Sequence, residues 1–558
     1  MPTPASAWIA PQSQPLLIRD LLTRARTWAP GQRIVYRELR DFSYAEWMLR
    51  VERLAHVLTQ AGVRPGTRVG VMDWDSHRYL ELFFAIPLIG AVLHTVNVRL
   101  TPDQIGYTIR HAGDTVVLTH PDFLPIAEEL APQLPEVRTW ITLSDDGKAP
   151  ATSLPLHGDY ESLLDGAPAG FQYPDLDENT VATLFYTTGT TGEPKGVYFT
   201  HRQIVLHALA GAVTFAAHSQ PFALQDDDIY LPLTPMFHVQ AWGFPYIATL
   251  LGLKQIYAGK FEPALILRLL EHHRVTISHC VPTLLQILLH HAESARVDWT
   301  RLKLVIGGAP LPAGLARAAR ERGIRIVGGY GMSETGPLIA VSHVNPAREL
   351  AEGQTPADAL DVVTRTGFPM PLVDAGIMDS EGNLLPPGRD QVGELVLRTP
   401  WLTSGYHANP EASAALWRGG WLHTGDIAYR DADGYLRITD RLKDVVKIGG
   451  EWISTLELEN ALSQHEAVKE VVVVGVPDPK WDERPHADVV LRDGFAEAVN
   501  ERVLSKFLHR FIDDGTLHKR AILTEIRVVP QIARTSVGKF DKKRLCAELA
   551  SRAPGKNP

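Results

Sequence analysis

The sequence predicts an α/β protein with a large N-terminal domain of layered α/β sheets, a β-rich subdomain and a small α+β C-terminal domain. Apolar runs of strand length, such as RVGVMDW, TVVLTH and LKLVIGG, alternate with amphipathic helical stretches. This alternation is typical of largely parallel sheets covered by helices. From about Asp361, short strands and Gly/Pro/Asp-rich turns indicate antiparallel structure. After ITDRLKD, the helical pattern STLELENALSQH and the apolar run AVKEVVVVGVPD indicate a further small domain.

The length and composition set the domain organisation and exclude some partners. A chain of 558 residues is too long for one core, and we expect a domain at 1–439, a connector at 440–445 and a domain at 446–558. A net charge of −9 gives no indication of nucleic-acid binding. Two cysteines and no recognisable signal peptide fit a reducing compartment. We therefore expect a cytoplasmic protein.

The most apolar window of the chain is residues 82–98. It contains Pro87, Gly90 and His94 and is shorter than the roughly 20 residues that a membrane span needs. We expect this window in the core and no transmembrane segment. Peripheral membrane contact and a homodimer both stay open at this stage.

The stretch FYTTGTTGEPKG is the first candidate binding element, because it follows a predicted buried strand. Its glycines allow backbone N–H groups to converge on an anion, its threonines add hydroxyl donors, and Lys195 adds a positive charge. A phosphate or pyrophosphate is the expected ligand. The lysine lies between Pro194 and Gly196, which departs from the common nucleotide P-loop. An ordinary surface loop is the alternative from this segment alone.

Four further elements favour a nucleotide site. GGYGMSETGP offers an aromatic ring at Tyr330 for a purine and the carboxylate of Glu334 for Mg²⁺. WLHTGDIA is predicted to present Asp426 on a turn, where a carboxylate can hold two ribose hydroxyls. DRLKDVVKIGGEWIS combines cations with a Gly-Gly turn, and RTSVGKFDKKRL places Lys539 after a glycine near the end of the chain. Each element alone is weak, but their joint occurrence is hard to produce by chance.

The sequence resembles the adenylate-forming superfamily of acyl-CoA synthetases, adenylation domains and firefly-type luciferases. The motifs that carry the resemblance are YTTGTTGEPKG, GYGMSE, TGD, DRLKD and the terminal SVGK. The resemblance covers about residues 15–548. It is greatest to bacterial medium- and long-chain fatty acyl-CoA synthetases, through GAVLHTVNVRL, PMFHVQAWGFPY, KIGGEWIS and PKWDERP.

The resemblance implies ATP-dependent ligation of a carboxylic acid to coenzyme A, with Mg²⁺ as the metal. The acid attacks the α-phosphorus of ATP to give an acyl-adenylate and pyrophosphate, and the thiol of coenzyme A then displaces AMP. The residues that it implies for binding the nucleotide and coenzyme A are Thr187, Thr188, Gly189, Thr190, Thr191, Gly308, Gly329, Tyr330, Gly331, Ser333, Asp426, Arg441, Lys443, Lys447, Gly449, Gly450 and Trp452.

The resemblance also implies specific roles in catalysis. Lys539 bridges the acyl carboxylate and the α-phosphate, Lys195 holds the β- and γ-phosphates, and His238 lies beside the acyl site. Mg²⁺ is expected on Thr187 and Glu334.

Two further residues are implied to move during the reaction. Trp242 resembles a gate that closes the acyl tunnel until ATP binds, and the alternative is a core tryptophan. Asp440 matches a hinge about which the small C-terminal domain rotates, so that this domain is expected to be mobile.

Three questions stay open from the sequence. The acid is either a medium- or long-chain fatty acid or a member of another class, such as an aryl or a short functionalised acid. The acceptor is either coenzyme A or a carrier-protein thiol. A catalytically inactive paralogue is disfavoured because Lys195, Glu334, Asp426, Arg441 and Lys539 are all present.

Overall fold

The computed structural model describes residues 14–187, 193–217, 222–342, 362–432, 434–441, 444–448, 451–478, 481–495, 498–514, 517, 521–523, 525–534 and 540–552. Within this part of the chain, no helix has the length and apolarity to cross a membrane.

Two large sheets form the N-terminal part of the protein. Their strands are β1 Arg33–Tyr36, β2 Arg40–Ser43, β3 Arg68–Met72, β4 Val92–Thr95, β5 Val116–Thr119, β6 Thr139–Thr142, β7 Leu156–Asp159, β8 Val181–Tyr186, β9 Gly196–Thr200, β10 Ile229–Tyr230, β11 Lys254–Tyr257, β12 Ile277–Cys280, β13 Lys303–Gly307, β14 Arg325–Gly331, β15 Leu338–Val341 and β16 Phe368–Pro369. Among the described residues, one sheet has the order β7-β6-β5-β3-β4-β8-β9 and the other β16-β15-β14-β13-β12-β10-β11-β1-β2. The inner strands pair in parallel, whereas β2, β9, β15 and β16 join antiparallel. The predicted parallel sheets are confirmed.

Helices cover and separate these sheets. They are α1 Thr23–Thr27, α2 Tyr44–Gln60, α3 His77–Leu88, α4 Pro102–Ala112, α5 Leu124–Leu130, α6 Tyr160–Asp165, α7 His201–Ala216, α8 Phe244–Leu251, α9 Pro263–His273, α10 Pro282–His290, α11 Ala313–Glu321, α12 Pro410–Leu416, α13 Thr455–Ser463, α14 Glu501–Asp513 and α15 Lys542–Arg552. Every residue of α3 is buried, and this helix contacts β4 and β8 of one sheet and β1 of the other. A helix buried on all sides belongs in a core, and α3 therefore lies between the sheets. The apolar window predicted as core, residues 82–98, contains the C-terminal part of α3 and all of β4.

Two smaller sheets follow. The first contains β17 Asp374–Met378, β18 Gly393–Arg398, β19 Trp417–Arg418, β20 Trp421–Arg430 and β21 Leu436–Arg441, and its described pairs are antiparallel. The second contains β22 Val446–Ile448, β23 Glu451–Ile453, β24 Val468–Asp478, β25 Asp482–Leu491 and β26 Glu525–Val528. The second sheet has its own apolar core with α13 and α14. These features confirm the β-rich subdomain and the small C-terminal domain.

Candidate active site

The ends of the Gly/Thr-rich loop are joined by two hydrogen bonds at the end of β8. The N–H of Thr187 donates to the carbonyl of Lys195 at 2.9 Å, and the N–H of Lys195 donates to the Thr187 hydroxyl at 3.3 Å. The antiparallel pairing of β8 with β9 brings these two residues together. The predicted phosphate contacts Thr188, Gly189, Thr190 and Thr191 lie outside the described residues.

A tyrosine connects the loop lysine to the predicted metal carboxylate. The Lys195 ammonium lies 4.9 Å from the ring centroid of Tyr406, and the Tyr406 hydroxyl donates to Oε1 of Glu334 at 2.6 Å. Glu334 is buried, and this burial raises the pKa of its carboxyl. A buried carboxyl favours a nearby positive charge, so this arrangement suits a cation between Glu334 and the phosphates of a nucleotide.

Tyr330, Asp426 and Arg441 form a second connected group. The Tyr330 hydroxyl donates to one oxygen of Asp426, and Nε of Arg441 lies 3.2 Å from the other. Asp426 is opposite Arg441 in the pairing of β20 with β21. The sequence-based placement of Asp426 on a turn is therefore wrong: the residue lies within β20, because neighbouring strands pair on both sides of it.

The predicted gate lies at a small cavity of about 40 Å³. His238 and Trp242 line it, together with Gly308, Gly329, Gly331 and Ser333. The indole of Trp242 is buried, and its ring centroid lies 5.2 Å from that of the His279 imidazole. A Cβ at Gly307 would be only 3.1 Å from this indole. Glycine at this position therefore leaves room for the tryptophan.

The backbone between His238 and α8 is left-handed. Residues 239–242 have φ between 48° and 59°, although none of them is glycine. For a non-glycine residue, this left-handed conformation costs about 1–2 kcal/mol of free energy. Surrounding contacts must therefore hold the turn that carries Trp242. No glycine or turn signal in HVQAW predicts this backbone.

Asp440 lies at the junction with the small domain. It is buried, and its Oδ2 accepts hydrogen bonds from both the backbone N–H and the hydroxyl of Thr455, the first residue of α13. Burial raises the pKa of this carboxyl. The side chain of Asp440 thus joins β21 to the C-terminal domain.

The remaining predicted residues are only partly covered by the structure. Lys443, Gly449, Gly450 and Lys539 lie outside the described residues. The backbones of Lys447 and Trp452 are paired across β22 and β23.

Sequence analysis missed Tyr406. It lies in the segment WLTSGYHANPEA, between two short elements of the β-rich subdomain. No spacing or charge pattern distinguishes this tyrosine, and its role follows only from its contacts with Lys195 and Glu334.

The donor set around Glu334 fits Mg²⁺ bound together with a nucleotide. Mg²⁺ in such sites is usually held by one or two carboxylates plus substrate phosphates and water. Glu334 supplies one carboxylate, and the Thr187 hydroxyl is a further oxygen donor at the loop. In the described ranges, no group of three or more His, Cys, Asp or Glu residues could hold a metal alone.

Comparison with known families identifies the chain. Residues 22–407 match the model of the AMP-binding enzyme family, and residues 457–539 match that of the AMP-binding enzyme C-terminal domain. The chain belongs to the AMP-binding enzyme family. The predicted adenylate-forming superfamily is thereby confirmed.

Individual relatives extend this finding over the whole chain. The chain is 39% identical to the long-chain-fatty-acid–CoA ligase of Thermus thermophilus, with 94% of each chain covered. It is 34% identical to the 3-methylmercaptopropionyl-CoA ligase of Ruegeria lacuscaerulensis, over 97% of this chain and 99% of the relative. The crystal structure of ATP-bound MatB from Rhodopseudomonas palustris has a TM-score of 0.79 and 26% identity, over 95% of this chain and 98% of that one. These relatives confirm the predicted enzyme class, an acyl-CoA synthetase of the AMP-binding family.

Proposed function

We propose that this AMP-binding enzyme ligates a medium- or long-chain fatty acid to coenzyme A through an acyl-adenylate. One observation carries the proposal. The segment from Gly329 to Glu334 contacts three groups at once. The Tyr330 hydroxyl bonds Asp426, and Glu334 accepts the hydroxyl of Tyr406, whose ring contacts Lys195. Gly329 and Gly331 line the cavity with His238 and Trp242. This arrangement supports a site at which ribose, phosphates and acyl group meet.

The chemistry requires these groups to position reactants and stabilise charge. A carboxylate oxygen of the acid forms a bond to the α-phosphorus as pyrophosphate leaves with the bond electrons. The sulfur of coenzyme A then bonds to the acyl carbon, and AMP departs. Lys195 is proposed to hold the outer phosphates and Asp426 the ribose hydroxyls. Lys539 is proposed to stabilise charge on the α-phosphate in the first step.

Mg²⁺ is proposed to be held by Glu334 and Thr187, together with phosphate oxygens. When bound, it supplies positive charge that stabilises the pyrophosphate leaving group. The buried position of Glu334 supports this assignment, because an ionised carboxylate at a buried site needs a nearby positive charge.

The identity of the acid is tested by a screen for AMP release that depends on coenzyme A. The panel contains straight-chain acids, aryl acids and short sulfur-containing acids. We expect the highest kcat/KM for a straight chain, as the name of the Thermus relative suggests. The name of the Ruegeria relative favours a short thioether acid as the second candidate. Acid-dependent exchange of pyrophosphate into ATP, without release of AMP when coenzyme A is added, would instead favour a carrier-protein acceptor.

Trp242→Ala is expected to shift the chain-length profile and to weaken the dependence of acid binding on ATP. Removing the indole opens space for several methylene groups, each contributing about 0.8 kcal/mol when buried. The measurement is the acid profile together with the melting temperature. Trp47→Ala is the control, because Trp47 is a fully buried tryptophan of α2 far along the chain from the site.

The two variants separate a gate from a core residue. Trp47→Ala should lower stability by about 3–5 kcal/mol with an unchanged profile. If Trp242→Ala behaves in the same way, the gate is refuted.

We further propose that residues 440–445 are a hinge between domains 1–439 and 446–558. Asp440→Pro is expected to leave pyrophosphate release intact and to prevent transfer to coenzyme A, because proline fixes φ. Proline also removes the carboxylate that Thr455 bonds. Asp440→Ala is the control for that loss, and it should retain most transfer activity. Normal overall turnover of the proline variant would place the hinge elsewhere.

We also propose that the protein is cytoplasmic. It is supported by the use of only two cysteines, both of them free.

A further inference from the structure

The loop that precedes His238 is held from the neighbouring sheet by two side-chain contacts. Oδ1 of Asp75 accepts the N–H of Met236 at 2.6 Å. The hydroxyl of Thr95, at the end of β4, donates to the carbonyl of Phe237 at 3.0 Å. Met236 and Phe237, the two residues held by these contacts, lie immediately before His238.

Asp75 is itself fixed between the two large sheets. It follows β3 by three residues, and its carbonyl accepts the N–H of Gly259, just beyond β11, at 2.7 Å. The guanidinium of Arg99 lies 5.8 Å from the ring centroid of Phe237, and its charge favours the ionised form of Asp75. The backbone of Asp75 thus joins the two sheets, and its partly buried carboxylate contacts the His238 loop.

The position of these contacts matters because of the backbone that follows. The four non-glycine residues after His238 have left-handed φ. Such a turn is unfavourable unless its neighbours restrain it. Within the turn, the described hydrogen bonds are local, such as that from the Ala241 N–H to the His238 carbonyl at 3.2 Å. At the end of the turn, the Trp242 indole packs against His279 of β12. At its start, the contacts from Asp75 and Thr95 supply the restraint.

We propose that Asp75, with Thr95, is a positioning residue that holds His238 and Trp242 at the acyl site through the backbone of Met236 and Phe237. This inference rests on the proposed function of that site. Asp75 touches neither acid nor nucleotide. It acts by fixing the start of the left-handed turn, and its loss should disturb the acyl site more than the nucleotide site.

The ionisation of Asp75 offers an independent readout. Burial raises the pKa of Asp75 from 3.8 to about 7, with Asp73 contributing in the same direction and Arg99 and the Met236 N–H opposing. Tyr79 of α3, Tyr230 of β10 and Tyr257 of β11 also interact with its charge. As the pH rises, the unfolded state therefore loses the Asp75 proton at a lower pH than the folded state does. This contribution makes stability fall as pH rises from about 4 to about 7.

The test compares Asp75→Ala with Asp75→Asn. We expect the alanine variant to raise KM for the acid and slow thioester formation from supplied acyl-adenylate, each about tenfold, with KM for ATP within twofold. Asparagine keeps an oxygen that accepts the Met236 N–H, so it should restore most of this loss. It should also make the fall in stability between pH 4 and pH 7 shallower. Thr95→Val should change the same parameters in the same direction, by about threefold.

Asp114→Asn is the matched control. Asp114 is a buried carboxyl beside the same sheet, and it bonds His94 rather than the His238 loop. It should alter melting temperature without changing KM for the acid. An Asp75→Ala variant with an unchanged acid KM would overturn the inference, and so would an asparagine variant as impaired as alanine. Failure of the wild-type enzyme to ligate any acid would instead refute the proposed function.

Discussion

Lys539→Ala is expected to abolish adenylation while sparing thioester formation from a supplied acyl-adenylate. Negative charge builds at the α-phosphate in the first transition state, and a positioned cation there typically contributes a hundredfold or more in rate. In the second half-reaction, the proposed rotation of the C-terminal domain withdraws this lysine. We therefore expect a loss of at least about a hundredfold in acid-dependent pyrophosphate release and a change below threefold in thiol transfer.

The control for this experiment is Lys542→Ala in the same C-terminal segment. Lys542 is bonded to Thr455 and paired with Glu459 inside the small domain. Its loss should lower stability and affect both half-reactions in proportion to the folded fraction. Equal loss of both half-reactions in Lys539→Ala, at normal stability, would contradict the two-conformation account.

Glu334→Gln is expected to raise the Mg²⁺ concentration needed for half-maximal adenylation and to slow adenylation by about a hundredfold at saturating Mg²⁺. A neutral amide is a poorer ligand for a hard cation than a carboxylate. The amide oxygen can still accept the Tyr406 hydroxyl that Glu334 now binds at 2.6 Å. The fold around the site should therefore be preserved, and the loss should reflect the missing charge.

Tyr406→Phe provides the comparison. It removes the hydroxyl that donates to Glu334 but leaves the carboxylate and the ring beneath Lys195. We expect a loss of about tenfold to a hundredfold, since a hydrogen bond to a charged group contributes about 1.5–3 kcal/mol. The Mg²⁺ dependence should change little, because the carboxylate remains. Wild-type Mg²⁺ dependence in Glu334→Gln would show that the metal is not held by this carboxylate.

The fold was largely predictable because its pattern is repetitive. Parallel strands buried on both faces read as continuous apolar runs, and those runs correspond to β3, β5 and β13. The error at Asp426 has a local cause. Gly425 has a φ of 69°, and the pairing of β20 with β18 shifts register beside it, which is the local irregularity that its sequence indicates. The strand nevertheless continues past this point, with Asp426 opposite Arg441 of β21.

The candidate site was less predictable where it depends on distant contacts. The start of the Gly/Thr loop could be predicted from sequence, because it directly follows the apolar run that forms β8. Tyr406 and Asp75 could not, because they act through contacts with residues far along the chain. The left-handed backbone before α8 was equally hidden, since none of its four residues is glycine.

Acid-dependent exchange of labelled pyrophosphate into ATP, measured without coenzyme A, tests the central claim most directly. An enzyme that forms a bound acyl-adenylate reverses that step, and label should enter ATP when the acid and Mg²⁺ are both present. Exchange should be lost in Lys539→Ala and retained in Asp440→Pro. Formation of acyl-CoA by the wild-type enzyme with no such exchange would contradict an adenylate intermediate.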